Sequence, residues 1–118
     1  MILHITTRES WEEAAKAGAY TAKSLQTQGF IHGSTAEQVI DVANFLFRGQ
    51  RGLVLLCIDE SRLKAEVRYE NLEGGLKLFP HVYGPIETDS VVEVLDFPPE
   101  ADGTFRLPEG VAGHADSV

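Results

Sequence analysis

Cysteine is almost missing from this 118-residue chain: Cys57 stands alone, so neither a disulfide framework nor a Cys-x-x-Cys zinc site can be built, a usage that suits a reducing compartment. No apolar run reaches membrane-spanning length. Met1 to Thr6 also lacks the basic stretch, apolar core and small-residue cleavage site of a leader, so secretion and membrane insertion are not expected and a cytoplasmic location is. Basic residues are scarce, ten against eighteen acidic ones, and a net charge of -8 repels polyanions at long range; no nucleic-acid partner is expected. Gly-x-Gly-x-x-Gly, Walker, Gly-x-Ser-x-Gly and His-Glu-x-x-His patterns are absent, as are internal repeats, so the familiar motif-borne chemistries do not apply.

What is present is enough apolar residue, 43%, for one core without staples. Residues 1–98 read as a single domain. Residues 99–118 read as a C-terminal segment, punctuated by proline and glycine and poorly ordered toward its end.

Ile2 to Thr6 reads as a strand. Ser10-Trp11-Glu12-Glu13 reads as a capping box that opens a short helix stopped by Gly18. Ala19 to Gln28 reads as a loop around Tyr20 and Leu25. A second strand, Phe30 to Gly33, runs into Ser34-Thr35-Ala36-Glu37-Gln38, where a hydroxyl can cap and Glu37 or Gln38 can complete the box. The helix beyond it has Val39, Val42, Ala43 and Leu46 on one stripe and ends at Gly49. Leu53 to Ile58 is apolar on both faces, as a covered central strand is. Ala65 to Glu70 alternates Ala65, Val67 and Tyr69 against Glu66, Arg68 and Glu70. Gly74-Gly75 breaks the chain. Leu78 to Tyr83 is extended again, with Pro80 predicting an edge position or a bulge. Val91 to Phe97 is the last strand. The order predicts an α+β domain with a mixed sheet and two main helices.

Two segments single out a site. His32 and Ser34 share one strand face, and Ser34-Thr35 lies where a helix begins, so amides, dipole and hydroxyls can converge as an anion cradle. The plainer alternative is that the hydroxyls cap the helix while His32 bonds a backbone carbonyl. His81 and Tyr83 also share a face, and an imidazole beside a ring that stacks suits a planar aromatic ligand; the alternative is an edge strand packing its aromatic side on the core. His4 shares its strand face with Ile2 and Thr6, which can bring it to the same cleft. Glu70, at the end of its strand, is the carboxylate to test as acid, base or ribose orienter, against a merely solvated charge. Three histidines with Glu70 could suggest a metal, but no local ligand pair has metal-binding spacing, and none is expected. Arg8, Arg48, Arg51 and Lys77 are the cations near candidate loops. Cys57 reads as core, and His114 as a tail residue without a role.

Gly29-Phe30-Ile31-His32 with Ser34-Thr35 and Gln38, then Leu55-Leu56-Cys57-Ile58-Asp59, Tyr69-Glu70 and Phe79-Pro80-His81-Val82-Tyr83-Gly84-Pro85, resemble the bacterial family called domain of unknown function 952, from Ile2 to about Phe97. That family looks like a small ADP-ribosyltransferase-like fold, in which a split, bent sheet grips NAD. The resemblance implies that His4 holds the ribose, that Ser34 and Thr35 shape the nicotinamide pocket, and that Thr6 and Tyr83 belong to the same NAD-binding set. A late-strand glutamate would assist glycosidic cleavage; here that strand offers His81 and Tyr83, and Glu70 lies one strand earlier. The expected function is NAD binding with transfer or hydrolysis of ADP-ribose, with His32, His81 and Glu70 as the catalytic set and NAD as substrate. The alternative is a non-catalytic module that holds a nucleotide or small anion. RNA 2′-phosphate transfer ranks last, because it wants a basic surface that this chain lacks.

Overall fold

All six residues of Leu53–Ile58 are buried, and the strand they form is the middle of a sheet. In the computed structural model, which describes residues 1–71 and 77–111, the elements are β1 (Ile2–Thr7), α1 (Arg8–Ala17), β2 (Ala19–Tyr20), α2 (Lys23–Gln28), β3 (Ile31–His32), α3 (Val39–Leu46), β4 (Leu53–Ile58), β5 (Glu66–Glu70), β6 (Phe79–Tyr83), β7 (Ile86–Glu87) and β8 (Val91–Asp96). The strands form three sheets, ordered β1-β4-β8, β2-β7 and β3-β6-β5. Every pairing is antiparallel, which corrects the expected mixed sheet. The reason is topological: each helix joins strands of different sheets, so none makes the crossover that a parallel pair needs. The result is a small α+β domain of several antiparallel sheets.

The central sheet is covered on both faces. Leu3, Ile5, Leu53, Leu55 and Cys57 pack with Val39 and Ala43 of α3 and with Phe97, Phe105 and Val111. Ile2, Val54, Leu56 and Ile58 meet Ala14, Tyr20, Ile31, Val82 and Ile86 on the other side. Each large apolar side chain so enclosed contributes roughly 2 kcal/mol. Residues beyond 98 join this packing: Phe105 stacks on Phe97 with ring centres 4.8 Å apart, and its amide donates to Asn44 Oδ1 at 2.8 Å. Gly74-Gly75 and His114 lie outside the described residues.

Several boundaries differ from the sequence reading. Helix α1 starts before the Ser10 box, because Thr7 Oγ1 accepts the Ser10 amide at 3.1 Å and caps it one turn earlier; Gly18 closes it at φ 88°. The stretch expected as loop contains β2 and α2. Neither shows in the pattern, since α2 buries no residue and has no side-chain cap, ending where Gly29 turns left-handed at φ 86°. Helix α3 starts at Val39 and ends at Leu46, with Phe47 in the closing position expected of Gly49. Pro80 sits in the central strand of its sheet, not at an edge. Its carbonyl accepts the Gly33 amide at 2.9 Å just past the end of β3, so the missing N–H forfeits only the one reciprocal bond at that end of the ladder.

The first and third sheets are joined by a two-way bridge in which the Leu3 and Ser34 amides each donate to the other's carbonyl at 2.8 Å. Gly33 permits it. A Cβ there would stand 2.6 Å from Ile2 Cγ2 and 3.0 Å from the Pro80 carbonyl oxygen. Among the described residues, no helix is long and apolar enough to cross a membrane.

Candidate functional site

Strand register decides which side chains meet. In the β5–β6 hairpin Glu66 stands opposite Tyr83, Arg68 opposite His81 and Glu70 opposite Phe79, while His32 of β3 stands opposite His81 from the other side. Opposed residues of antiparallel strands share a face. One face of the sheet therefore carries His32, Arg68, Glu70, His81 and Tyr83, and Phe30, two residues before His32, falls on the same side.

The centre of this group is a carboxylate with two donors. Glu70 Oε1 accepts the Tyr83 hydroxyl at 2.5 Å and the His81 Nδ1–H at 3.1 Å. Both bonds favour the ionised form, so Tyr83 first and His81 second hold the Glu70 carboxyl below its ordinary range. The same hydrogen bond raises the Tyr83 phenol, which stays protonated at neutral pH. His81 is 5% exposed. The Phe30 ring lies stacked on its imidazole at 4.3 Å, and the His32 ring meets it edge-on at 5.6 Å. His32 is exposed and hydrogen-bonded through Nε2–H to Gln28 Oε1 at 2.7 Å. The guanidinium of Arg68 lies over the Tyr83 ring, 4.6 Å from its centre, with its Nε–H donated to Glu66 Oε2 at 2.8 Å.

The three expected catalytic residues, His32, His81 and Glu70, are thus brought together, with Tyr83 beside them. His4 and Thr6 are elsewhere. They lie on the face of β1 that packs into the second core, where His4 Nδ1–H donates to the His32 carbonyl at 2.6 Å and Nε2 lies 2.8 Å from the Tyr20 hydroxyl. Loss of hydration holds the His4 imidazole at a pKa of about 4, so it is neutral at pH 7. With Nδ1–H given to a carbonyl, Nε2 must accept from Tyr20, and Thr6, 3.0 Å from the Tyr20 oxygen, completes the chain. His4 reaches His32 through the backbone, not ring to ring.

Ser34 is buried in the bridge to Leu3, and the Thr35 amide is already taken by Gln38 Oε1 at 3.0 Å. The Gln38 and Val39 amides bond the Thr35 carbonyl, so these opening amides of the helix are satisfied internally rather than presented as an anion cradle. Gln38 supplies its half of the expected box through Oε1, while its backbone amide bonds the Thr35 carbonyl rather than a capping hydroxyl; its side-chain amide also reaches the Leu78 carbonyl at 2.8 Å. Of the cations expected near the site, Arg8 pairs with Asp96 and Lys77 lies 3.9 Å from Asp41. Arg51 lines an open groove of about 600 Å³ beside the start of α1, and Arg48 sits against Gly103. A smaller recess of about 260 Å³ lies between α1 and the β2 segment, lined in part by Glu13, Tyr20 and Lys23. The imidazole face borders neither hollow.

Sequence reasoning missed Arg68, Phe30 and Gln28. The alternation of β5 held the signal for Arg68, but its polar side reads as solvent-facing until the partner strand is known. Among the described residues, no group of three or more His, Cys, Asp or Glu side chains is disposed to hold a metal ion. Cys57 is fully buried, and burial pushes its thiol up to about 11, which suits packing rather than nucleophilic chemistry.

The chain matches, over residues 5–94, the model of a family described as Protein of unknown function (DUF952). Its fold is similar to protein CC0527 from Caulobacter crescentus. The crystal structure of that protein is 34% identical, with 94% of this chain and 97% of that chain covered at a TM-score of 0.84. The solution NMR structure gives 34% identity, coverages of 92% and 94%, and a TM-score of 0.80. No curated protein matches.

Proposed function

The chain belongs to the DUF952 family, a family of unknown function, and from that premise we propose that the face shared by β3, β6 and β5 binds NAD and transfers or hydrolyses its ADP-ribose group. The supporting observation is the Glu70 carboxylate, which accepts from both His81 and Tyr83 and so belongs to the late-strand pair despite coming from an earlier strand. The ADP-ribosyltransferase-like resemblance, with its split sheet, is part of this reading.

In the reaction, the bond between C1′ of the ribose and the nicotinamide nitrogen breaks, and its electron pair leaves with the nicotinamide. Positive charge then grows on the sugar, which an ionised Glu70 stabilises. Glu70 also fixes the proton of His81 on Nδ1, leaving Nε2 to take the proton of the water or acceptor hydroxyl that attacks C1′. The half-buried Tyr83 ring, with Arg68 over one face, offers aromatic surface for the leaving ring, while Phe30 backs the His81 imidazole. His4, Thr6, Ser34 and Thr35 act as the frame behind β3 rather than as contacts.

Incubation with millimolar NAD, following free nicotinamide by chromatography, tests this. Nicotinamide release that falls on the order of 10²-fold in Glu70→Gln and His81→Ala, both still folded, is the expected result. Neither release nor binding by the wild-type protein would overturn it. Because the imidazole face borders neither hollow, a second reading is a non-catalytic nucleotide-binding module. Thermal stabilisation by NAD without nicotinamide release selects that one.

A further inference from the structure

We infer that Arg68 is the anion anchor of this face, binding one phosphate group of a nucleotide; this rests on the nucleotide-site reading above and extends it to a residue outside the histidine set. A rotamer-rich arginine on a sheet surface is ordinarily loose, and ordering it costs entropy that weakens any ligand contact. Arg68 is ordered from two directions before a ligand arrives. Tyr83 lies beneath its guanidinium plane at 4.6 Å, and Glu66 takes the Nε–H at 2.8 Å. With Nε–H committed to Glu66 and the side chain 55% exposed, the Nη end of the fork, the end that matches two phosphate oxygens, is open to solvent.

Position supports the same use. Arg68 stands directly opposite His81 across the β5–β6 ladder, which sets a phosphate bound there beside the proposed reacting imidazole. Charge sets the size of the ligand's anionic part. Arg68 already pairs with Glu66, and Glu70 is ionised beside it, so the guanidinium holds a single phosphate by the directed bonds of its fork rather than by net positive charge, in a chain at -8. A run of several phosphates would meet those carboxylates and is disfavoured.

The test compares adenosine with AMP and nicotinamide riboside with NAD, titrated calorimetrically into wild-type protein, Arg68→Gln and Arg68→Lys. In the wild type, each phosphate-bearing ligand should bind more tightly than its phosphate-free partner, and NAD binding should weaken as salt rises. Arg68→Gln should lose about tenfold or more in affinity for AMP and NAD, lose the salt dependence, and leave the nucleosides unchanged; Arg68→Lys should recover part of the loss. Side-chain exposure of 55% makes both variants compatible with folding, which a melting curve checks. Unchanged NAD and AMP affinity in Arg68→Gln overturns the anchor while leaving the nucleotide site standing. Binding of none of the four ligands by the wild type overturns both.

Discussion

Glu70 Oε1 and His81 Nδ1 stand 3.1 Å apart, on neighbouring strands and one step diagonal to each other in the ladder, and the Tyr83 hydroxyl closes on the same oxygen. The carboxylate thereby sets which imidazole nitrogen carries the proton, which a strand-end charge in solvent could not do.

That pairing gives a pH signature. The folded carboxyl of Glu70 lies below its ordinary value of 4.5, so its stabilising effect is complete above that value and fades as pH falls through the lower folded one. Wild type should therefore melt at a higher temperature than Glu70→Gln at pH 6, and the gap should narrow progressively on acidification below 4.5. A gap that does not depend on pH would contradict the assignment.

His4 acts in a different window. Its imidazole titrates near 6.5 when unfolded and at about 4 when folded, so the unfolded chain takes up the extra proton between those values and stability falls as pH drops from 6.5 to 4. The loss should amount to about 2 to 3 kcal/mol in denaturant titrations. His4→Gln, which keeps a donor and an acceptor, should flatten that slope while starting from a lower stability at pH 7.

Gly33→Ala should cost about 1 to 3 kcal/mol, because one of the atoms that the new methyl meets is the Pro80 carbonyl oxygen, part of the backbone and unable to step aside cheaply. Chemical denaturation measures it. The same variant should weaken NAD binding, since relief of the clash shifts β3 and with it His32.

Phe105→Ala should destabilise by roughly 3 to 5 kcal/mol, as expected when a buried ring stacked on Phe97 is removed. Cutting the chain after residue 98 should be at least as damaging, as seen in the midpoint of urea unfolding. Full stability in the shortened protein would show that residues 99–111 are dispensable.

Much of the frame was legible. The apolar run of β4, the Val39, Val42 and Ala43 part of the α3 stripe and the left-handed stop at Gly18 all follow from local pattern, whereas Leu46, expected on the same stripe, is 62% exposed at the helix end. So did the shared face of His81 and Tyr83, because residues two apart on a strand point the same way. What stayed hidden depends on partners far along the chain. The β2–β7 pair consists of two residues on each side and has no periodicity to read. Helix α2 has no fully buried residue and sets only Leu25 against the second core, so no stripe announces it. That Pro80 lies in a central strand shows only once β6 is seen paired with β3 on one side and β5 on the other. Arg68 and Glu70 looked solvated for the same reason: alternation separates the two faces of β5, but only the pairing with β6 tells which face meets the histidines.

That pairing couples function to folding fidelity. If β5 docked against β6 one residue out of step, Val67 would leave its place among the buried side chains around Val82, and Arg68 with its flanking carboxylates would be forced toward that grease. A misaligned molecule would thus be inert and unstable together, so cellular surveillance that clears poorly folded chains would also remove the inactive ones.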